Sequence, residues 1–387
     1  MAELTKDQFK DLLMNAVRQH GMSYRHSFAV HVRWECDNTA AKRDFENFQT
    51  FLKVFALSPA QELVIKDDDV IPGWTVLDTV KKTILAAKAA STSGRSLIIF
   101  HYAGHGIPGP NGALQLCTTP TMGRHSRYFD DRAFFSEIDR GSFLLRDDSE
   151  VDVVLLFDCC YAFLATRAVN SSGRVVEVLA AVDAKSKTAN IPGQRVSFTG
   201  KLATKVAWLR GRGKDHIDLA ELVALLRGED SPAKRPSHTL RVGLSSVRLR
   251  FPASTTSTAT ASAPTASAPT AAVPLRGPGL RAVFHLTVNK SFSSDQLKCF
   301  LKWLGALNPE VGLSLEGVYE TSSMCVILSG SYPVFLKLQN APSVTLICET
   351  QESNKLDDII PRSVASTGNS APSGMENAPL QSRKLQS

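Results

Sequence analysis

Two hydrophobic periods alternate along the first two thirds of the chain. Residues 28–35, FAVHVRWE, are rich in β-branched and aromatic side chains and predict a strand. The segment after it, AAKRDFENFQTFLKVFAL, carries Phe45, Phe48, Phe51, Leu52 and Phe55 at helical spacing. QELVIKDDD predicts a short strand. Residues 74–90 predict a helix with Val76, Val80, Ile84 and Leu85 on one face. Near-continuous apolar runs at 95–106, 151–160 and 174–184 predict strands buried on both faces. Helices are predicted at 198–211 and 218–229, and a closing strand at 238–251. Strands of this kind alternating with helices specify an α/β fold with a mostly parallel sheet covered on two sides.

The pattern stops at 252–279, which opens as PASTTSTATASAPTASAPTAAVP and has almost nothing to bury. Such a segment cannot offset the entropy of ordering, so a disordered Ala/Ser/Thr/Pro-rich linker is expected there. A second pattern follows at 280–350. LRAVFHLTV reads as a strand, SSDQLKCFLKWLGAL as a helix, then come two strands, a short helix at YPVFLKLQN and a last strand, SVTLICET. The βαββαβ order predicts a small α+β, ferredoxin-like module. The flanks, 1–24 and 351–387, read as an N-terminal helix and a disordered Ser/Asn/Pro/Gln-rich tail.

Composition changes the picture little. Apolar residues are 43% and charged residues 21%, which excludes a fully disordered chain. No apolar run is long enough for a membrane helix, and the first residues lack a signal-type apolar core, so a cytoplasmic protein is expected. The net charge of +7 comes without aromatic interleaving, so nucleic acid is not an expected partner. The seven cysteines show no CxxC pair and no zinc-ligand spacing, so no disulfide framework is expected.

Ligand chemistry in parallel α/β sheets gathers beyond the carboxyl ends of the strands. Two such ends stand out. LIIF runs into His101-Tyr102-Ala103-Gly104-His105-Gly106, and VDVVLLF runs into Asp158-Cys159-Cys160-Tyr161. Were the two strands neighbours, an imidazole and a thiol would share one sheet edge. A nearby imidazole favours the thiolate, which is the nucleophile. A helix expected at 162–169 would add its positive end. The chemistry implied is acyl transfer from a peptide carbonyl, with backbone N–H groups of Gly106 and Cys160 as the oxyanion donors.

HYAGHG resembles the HYSGHG motif of metacaspases, and DCCYA resembles their D-[CS]-C-[HFY]-[SA] motif. His105 precedes Cys160 by 55 residues, near the roughly 50 that separate histidine from cysteine in caspases. The resemblance covers residues 25–251 and implies a caspase-like fold with a six-stranded sheet. It makes His105 the general base and Cys160 the nucleophile of a cysteine endopeptidase, in regulated proteolysis or cell death. It makes Asp158 a wall of an acidic pocket for an Arg or Lys side chain, with Asp37 as a candidate second wall. The motif serine is Ala103 here, and Ala162-Phe163 replaces the usual Ser-Gly. No cofactor is expected; were calcium to bind, Asp130 and Asp131 are the candidates, although a helix-start pair is the plainer reading of them.

The alternative is a catalytically inactive caspase-like scaffold. Polypeptide substrates are the expected partners, with a further protein partner through 280–350. Arg167, Arg174, Lys185 and Lys187 fall in a stretch that reads as a loop open to self-cleavage. His101 is expected to brace the motif loop, and His31 to stand apart from any cluster. Cys299 and Cys325 are expected in the core.

Overall fold

The computed structural model describes residues 24–120, 126–139, 144–145, 149–166, 174–190, 196–229, 234–243, 245–252, 280–288, 293–305, 313–320, 324–339, 341 and 343–350, with isolated positions near the N-terminus. The N-terminal helix, the linker and the tail expected from sequence lie outside the described residues, but for Tyr24, the linker's first residue and those isolated positions. In chain order the elements are β1 His26–Trp34, α1 Ala41–Val54, β2 Gln61–Ile65, α2 Pro72–Ser91, β3 Ser96–Ala103, β4 His105–Pro108, β5 Leu114–Cys117, β6 Tyr128–Asp130, α3 Arg132–Phe135, β7 Val151–Asp158 and β8 Val176–Ala180. Then follow α4 Phe198–Gly211, β9 His216–Asp218, α5 Leu219–Glu229, β10 Ser237–Val242 and β11 Arg248–Arg250.

Six strands form one sheet in the order β10-β8-β7-β3-β1-β2. All neighbours in it are parallel except β10, which runs antiparallel to β8. Every residue of β3 and of β7 is buried, so helices must cover both faces. Successive side chains show it: Phe100 meets Phe134 of α3 at 5.9 Å between ring centroids, while His101 meets Phe48 of α1 at 4.6 Å. The Phe45–Phe55 stripe read from sequence seats α1, with Phe48, Phe51 and Leu52 buried. Each such side chain is worth about 1.5–3 kcal/mol of apolar transfer. No helix among the described residues is long and apolar enough to cross a membrane.

Residues 280–350 build a second sheet. Its elements are β12 Arg281–Val288, α6 Ser294–Gly305, β13 Ser314–Glu320, β14 Met324–Ser331, α7 Tyr332–Leu338 and β15 Val344–Thr350. The order is β13-β14-β12-β15, antiparallel throughout. β12 alternates strictly between buried and half-buried positions, as a sheet packed on one face must. Its core, around Phe284, Leu286, Val326, Leu328 and Phe335, also takes in Ala220 and Ala224 of α5.

The structure departs from the sequence expectation at several points. The strand expected at 238–251 is two strands, because Gly243 turns at φ 86° with its α-carbon so close to Arg174 that an added Cβ would lie 2.7 Å from the carbonyl oxygen. The second piece, β11, leaves the main sheet and pairs with β9. The segment after Gly104 is a small three-stranded sheet, β4-β5-β6. Leu85 lies on the exposed side of α2. Cys299 is exposed and Cys325 half-buried, because neither sits on a core-facing position. Arg174 is fully buried and donates to the Asp139 carbonyl at 3.2 Å, so it is no part of an open loop.

Candidate active site

Strands β3 and β7 are adjacent and in register, with Ala103 opposite Asp158. The two chemistry-bearing loops therefore leave the sheet side by side. Gly104, at φ 149°, turns the chain so that His105 opens β4, and the Tyr102 hydroxyl ties this turn by donating to the His105 carbonyl at 2.9 Å. Gly106 then packs against the neighbouring loop. A Cβ there would stand 2.3 Å from the Cys160 carbonyl oxygen and 2.9 Å from the Cys159 Sγ, so only glycine fits.

The adjacent cysteines differ sharply. Cys159 is 1% exposed, and burial pushes its thiol well above the ordinary range, with the neighbouring Cys160 a lesser cause. Cys160 is half-buried and reachable. Its sulfur accepts the Ala189 N–H at 3.4 Å. Tyr161 takes a left-handed conformation, φ 56°, which makes the bend after Cys160 sharp; its N–H donates to the Lys187 carbonyl at 2.7 Å. Of the helix expected at 162–169, the described residues form a five-residue 3₁₀ turn, Ala162–Thr166, and 167–169 lie outside the described residues.

His105 Nε2–H donates to Asn38 Oδ1 at 2.5 Å. That bond fixes the tautomer and leaves Nδ1 as the unprotonated nitrogen. Burial lowers the His105 pKa, while the negative Asp37 nearby works the other way. The ring is thus neutral near pH 7, with the Nδ1 lone pair free to take a proton. Asn38 went unnoticed in the sequence because only the fold brings it to His105. Asp37 caps α1, accepting the Ala41 N–H at 2.8 Å and the Thr39 hydroxyl at 2.6 Å.

Asp158, the last residue of β7, is 5% exposed. Its Oδ2 accepts both the Thr199 N–H and the Thr199 hydroxyl at 2.8 Å, and its Oδ1 is buried with no hydrogen-bond partner among the described residues. Burial pushes its pKa up to about 6, opposed by the Thr199 hydrogen bonds, then by the Phe198 N–H and the charge of Lys201. A second buried carboxylate, Asp44, comes from the first turn of α1. It accepts the Ser197 hydroxyl and the Asn47 amide, and is pushed up to about 8, first by burial and then by the charge of Asp158. Asp44 was missed. Its signal was a carboxylate four residues before Phe48 on the apolar face of α1, a position that needs a reason.

Beneath this pair runs a directed chain of hydrogen bonds. Thr199 gives its hydroxyl proton to Asp158, so the same oxygen accepts from His101 Nε2–H at 2.9 Å. His101 Nδ1 is then bare and accepts His31 Nδ1–H at 2.9 Å. His31, expected to stand apart, is paired; His101 reaches α4 and β1 rather than its own loop. Burial holds both rings neutral, His31 down to about 3.

Asp130 ends β6 and Asp131 occupies the N-cap position of α3, without a side-chain capping bond. Burial raises the Asp131 pKa to about 6, with Arg241 opposing. No group of three His, Cys, Asp or Glu side chains suited to a metal ion occurs among the described residues. Comparison with known protein families and with curated proteins gives no match.

Proposed function

We propose that the chain is a cysteine endopeptidase of the caspase-like, metacaspase-type class, cutting peptide bonds after Arg or Lys. The observation that carries this reading is the contact between the two loops: Gly106, next to His105, lies against the Cys160 backbone at the carboxyl ends of adjacent parallel strands. The strand order β2-β1-β3-β7-β8-β10, with only the last strand antiparallel, suits a caspase-like sheet. The 280–350 order suits a ferredoxin-like sandwich.

In this reading His105 Nδ1 takes the Cys160 thiol proton, and the thiolate attacks the carbonyl carbon of the scissile bond. The electron pair of the C=O bond moves to oxygen, where the N–H groups of Gly106 and Cys160 stabilise it. Collapse of this intermediate breaks the C–N bond, and the leaving amine takes the proton from His105. Water, deprotonated by the same nitrogen, then releases the acyl group. Asn38 holds the ring. The bare Oδ1 of Asp158, with Asp44 beside it, is the acceptor for the cationic P1 head. Such an enzyme would serve regulated proteolysis or cell death.

The test is cleavage of fluorogenic peptides ending in Arg, Lys or Asp by purified protein, with Cys160→Ser as control. Cleavage after Arg and Lys that vanishes in the control supports the reading. Cleavage after Asp overturns the pocket assignment. The second reading, an inactive scaffold, is favoured by one observation: the Cys160 sulfur meets the Ala189 N–H, and among the described residues Cys160 and His105 form no hydrogen bond with each other. A folded protein without turnover on any peptide would decide for it.

A further inference from the structure

A turn between β8 and α4 leans on Cys160, and the 280–350 module holds that turn from its other side. Asp183 Oδ1 accepts the Lys185 N–H at 3.0 Å, the Ser186 N–H at 2.9 Å and the Ser186 hydroxyl at 2.8 Å. The turn so formed presents the Lys187 carbonyl to the Tyr161 N–H at 2.7 Å and the Ala189 N–H to the Cys160 sulfur at 3.4 Å. Asp183 Oδ2 meets the Arg227 guanidinium of α5 at 3.1 Å. That guanidinium meets Glu349 of β15 at 2.6 Å, and Arg235 meets the other Glu349 oxygen at 2.7 Å. Arg235 also donates its backbone N–H to the Ser186 hydroxyl at 3.2 Å. The Tyr332 hydroxyl, on α7, completes the Glu349 shell at 3.2 Å.

We propose that the 280–350 module is a positioning element of the candidate active site, with Glu349 as its positioning residue. Through Arg227 and Arg235, Glu349 fixes the 183–189 turn against Cys160 and so sets the access and reactivity of the thiol. The inference rests on Cys160 as the reactive thiol. Glu349 is the carboxylate shared by two guanidinium groups, and its side chain is 13% exposed, so solvent screens the pairing little. Without its charge, Arg227 keeps Asp183 and the Pro236 carbonyl, while Arg235 loses its carboxylate. Arg235 then withdraws and takes its N–H from Ser186, and the turn loosens. Further polar ties between the module and the first block, Gln339 Nε2 to the His238 carbonyl at 2.7 Å and Lys337 to Asp218 at 3.6 Å, reach β10 and β9 and not the turn.

The experiment uses the full chain and two readouts that need no turnover. They are hydrogen exchange of peptides covering 158–166 and 183–190, and the iodoacetamide alkylation rate of Cys160 mapped by mass spectrometry. Glu349→Gln and Asp183→Asn are expected to raise both by about tenfold, as local opening replaces a paired turn. Glu316→Gln, which loses bonds to Ser314 and Ser329 inside the module, is expected to leave both within about twofold, since surface-type losses stay local. A folded Glu349→Gln protein with unchanged exchange and alkylation overturns the proposal, as does an equal response to Glu316→Gln. If Glu349→Gln fails to fold, Arg235→Gln, which breaks its Glu349 link and leaves the Asp183 bonds of the turn in place, decides by the same two outcomes. A chain that cuts no peptide can still show the coupling, so failure of the protease reading and failure of this one are separable.

Discussion

Strand β7 carries a buried aspartate at each end, and the two ends of the sheet treat them in opposite ways. Asp152, near the amino end, is fully buried and saturated: Tyr24 donates to it at 2.8 Å, Arg95 twice, at 2.7 and 2.8 Å, and the Val175 N–H at 2.7 Å. Its charge is met by a guanidinium that is itself held by Glu150. Asp158, six residues on, has one oxygen without a partner among the described residues, and its charge acts on another buried carboxylate, Asp44. A buried charge left incomplete costs stability. The amino end is saturated and holds the sheet; the carboxyl end leaves one buried carboxylate oxygen without a partner among the described residues. The thiols repeat the contrast at closer range, Cys159 sealed and Cys160 reachable.

The largest expected effect separates chemistry from stability. Cys160→Ser or His105→Ala should lower peptide cleavage by about 10³-fold or more, with the urea midpoint of unfolding nearly unchanged. Cys159→Ser should leave the rate within a few-fold. Next, the two aspartates should exchange roles on mutation. Asp152→Asn should destabilise by about 3 kcal/mol, because the half-buried Arg95 loses its bidentate carboxylate and keeps the exposed Glu150. Asp158→Asn should leave stability within about 1 kcal/mol, as the amide oxygen can still accept from Thr199, yet cost about 10²-fold in kcat/KM for Arg peptides. Equal behaviour of the two variants would break the comparison.

Acid and base should distinguish the ends as well. The folded pKa of Asp44, about 8, lies above its ordinary value, so the folded chain keeps a proton that the unfolded chain has released. Stability from this group is therefore lost as pH rises from about 4 to about 8. Denaturant midpoints measured across that window should fall in the wild type and fall less in Asp44→Asn. The groups facing Asp44 are Asp158, Asp37, Ser197 and Asn47, of which Asp158 titrates at about 6 in the same sense. Cleavage after Arg should rise with pH through about 6 as Asp158 ionises. The smallest effect is expected from Asn38→Ala, a roughly tenfold loss in kcat with KM unchanged, from a looser imidazole.

The elements that could be read from sequence share one property: their pattern is set by burial within the element. β3 and β7 are apolar on both faces, and the phenylalanine stripe marks α1. The motif loops also announced themselves, because a glycine pair around His105 and an acidic-thiol run after an apolar strand are local. What escaped is tertiary. Asn38 sits one residue beyond the Asp37 singled out from sequence, and only the β1–α1 turn brings it to His105. The β4–β6 sheet has strands of three or four residues, too short for alternation to register. His31 looked like one more residue of a buried strand until its neighbour across the sheet proved to be His101. The coupling of Glu349 to the 183–189 turn joins residues more than a hundred positions apart, which no local pattern encodes.

The most direct test is to treat the full chain with peptidyl chloromethyl ketones ending in Arg or in Asp and to map the alkylated cysteine by mass spectrometry. The account predicts that the Arg reagent labels Cys160 and spares Cys159. The labelling should weaken strongly in Asp158→Asn and be lost in His105→Ala, and the Asp reagent should label Cys160 poorly. Labelling confined to the exposed Cys36, Cys299 and Cys348, with no preference between reagents, would contradict it.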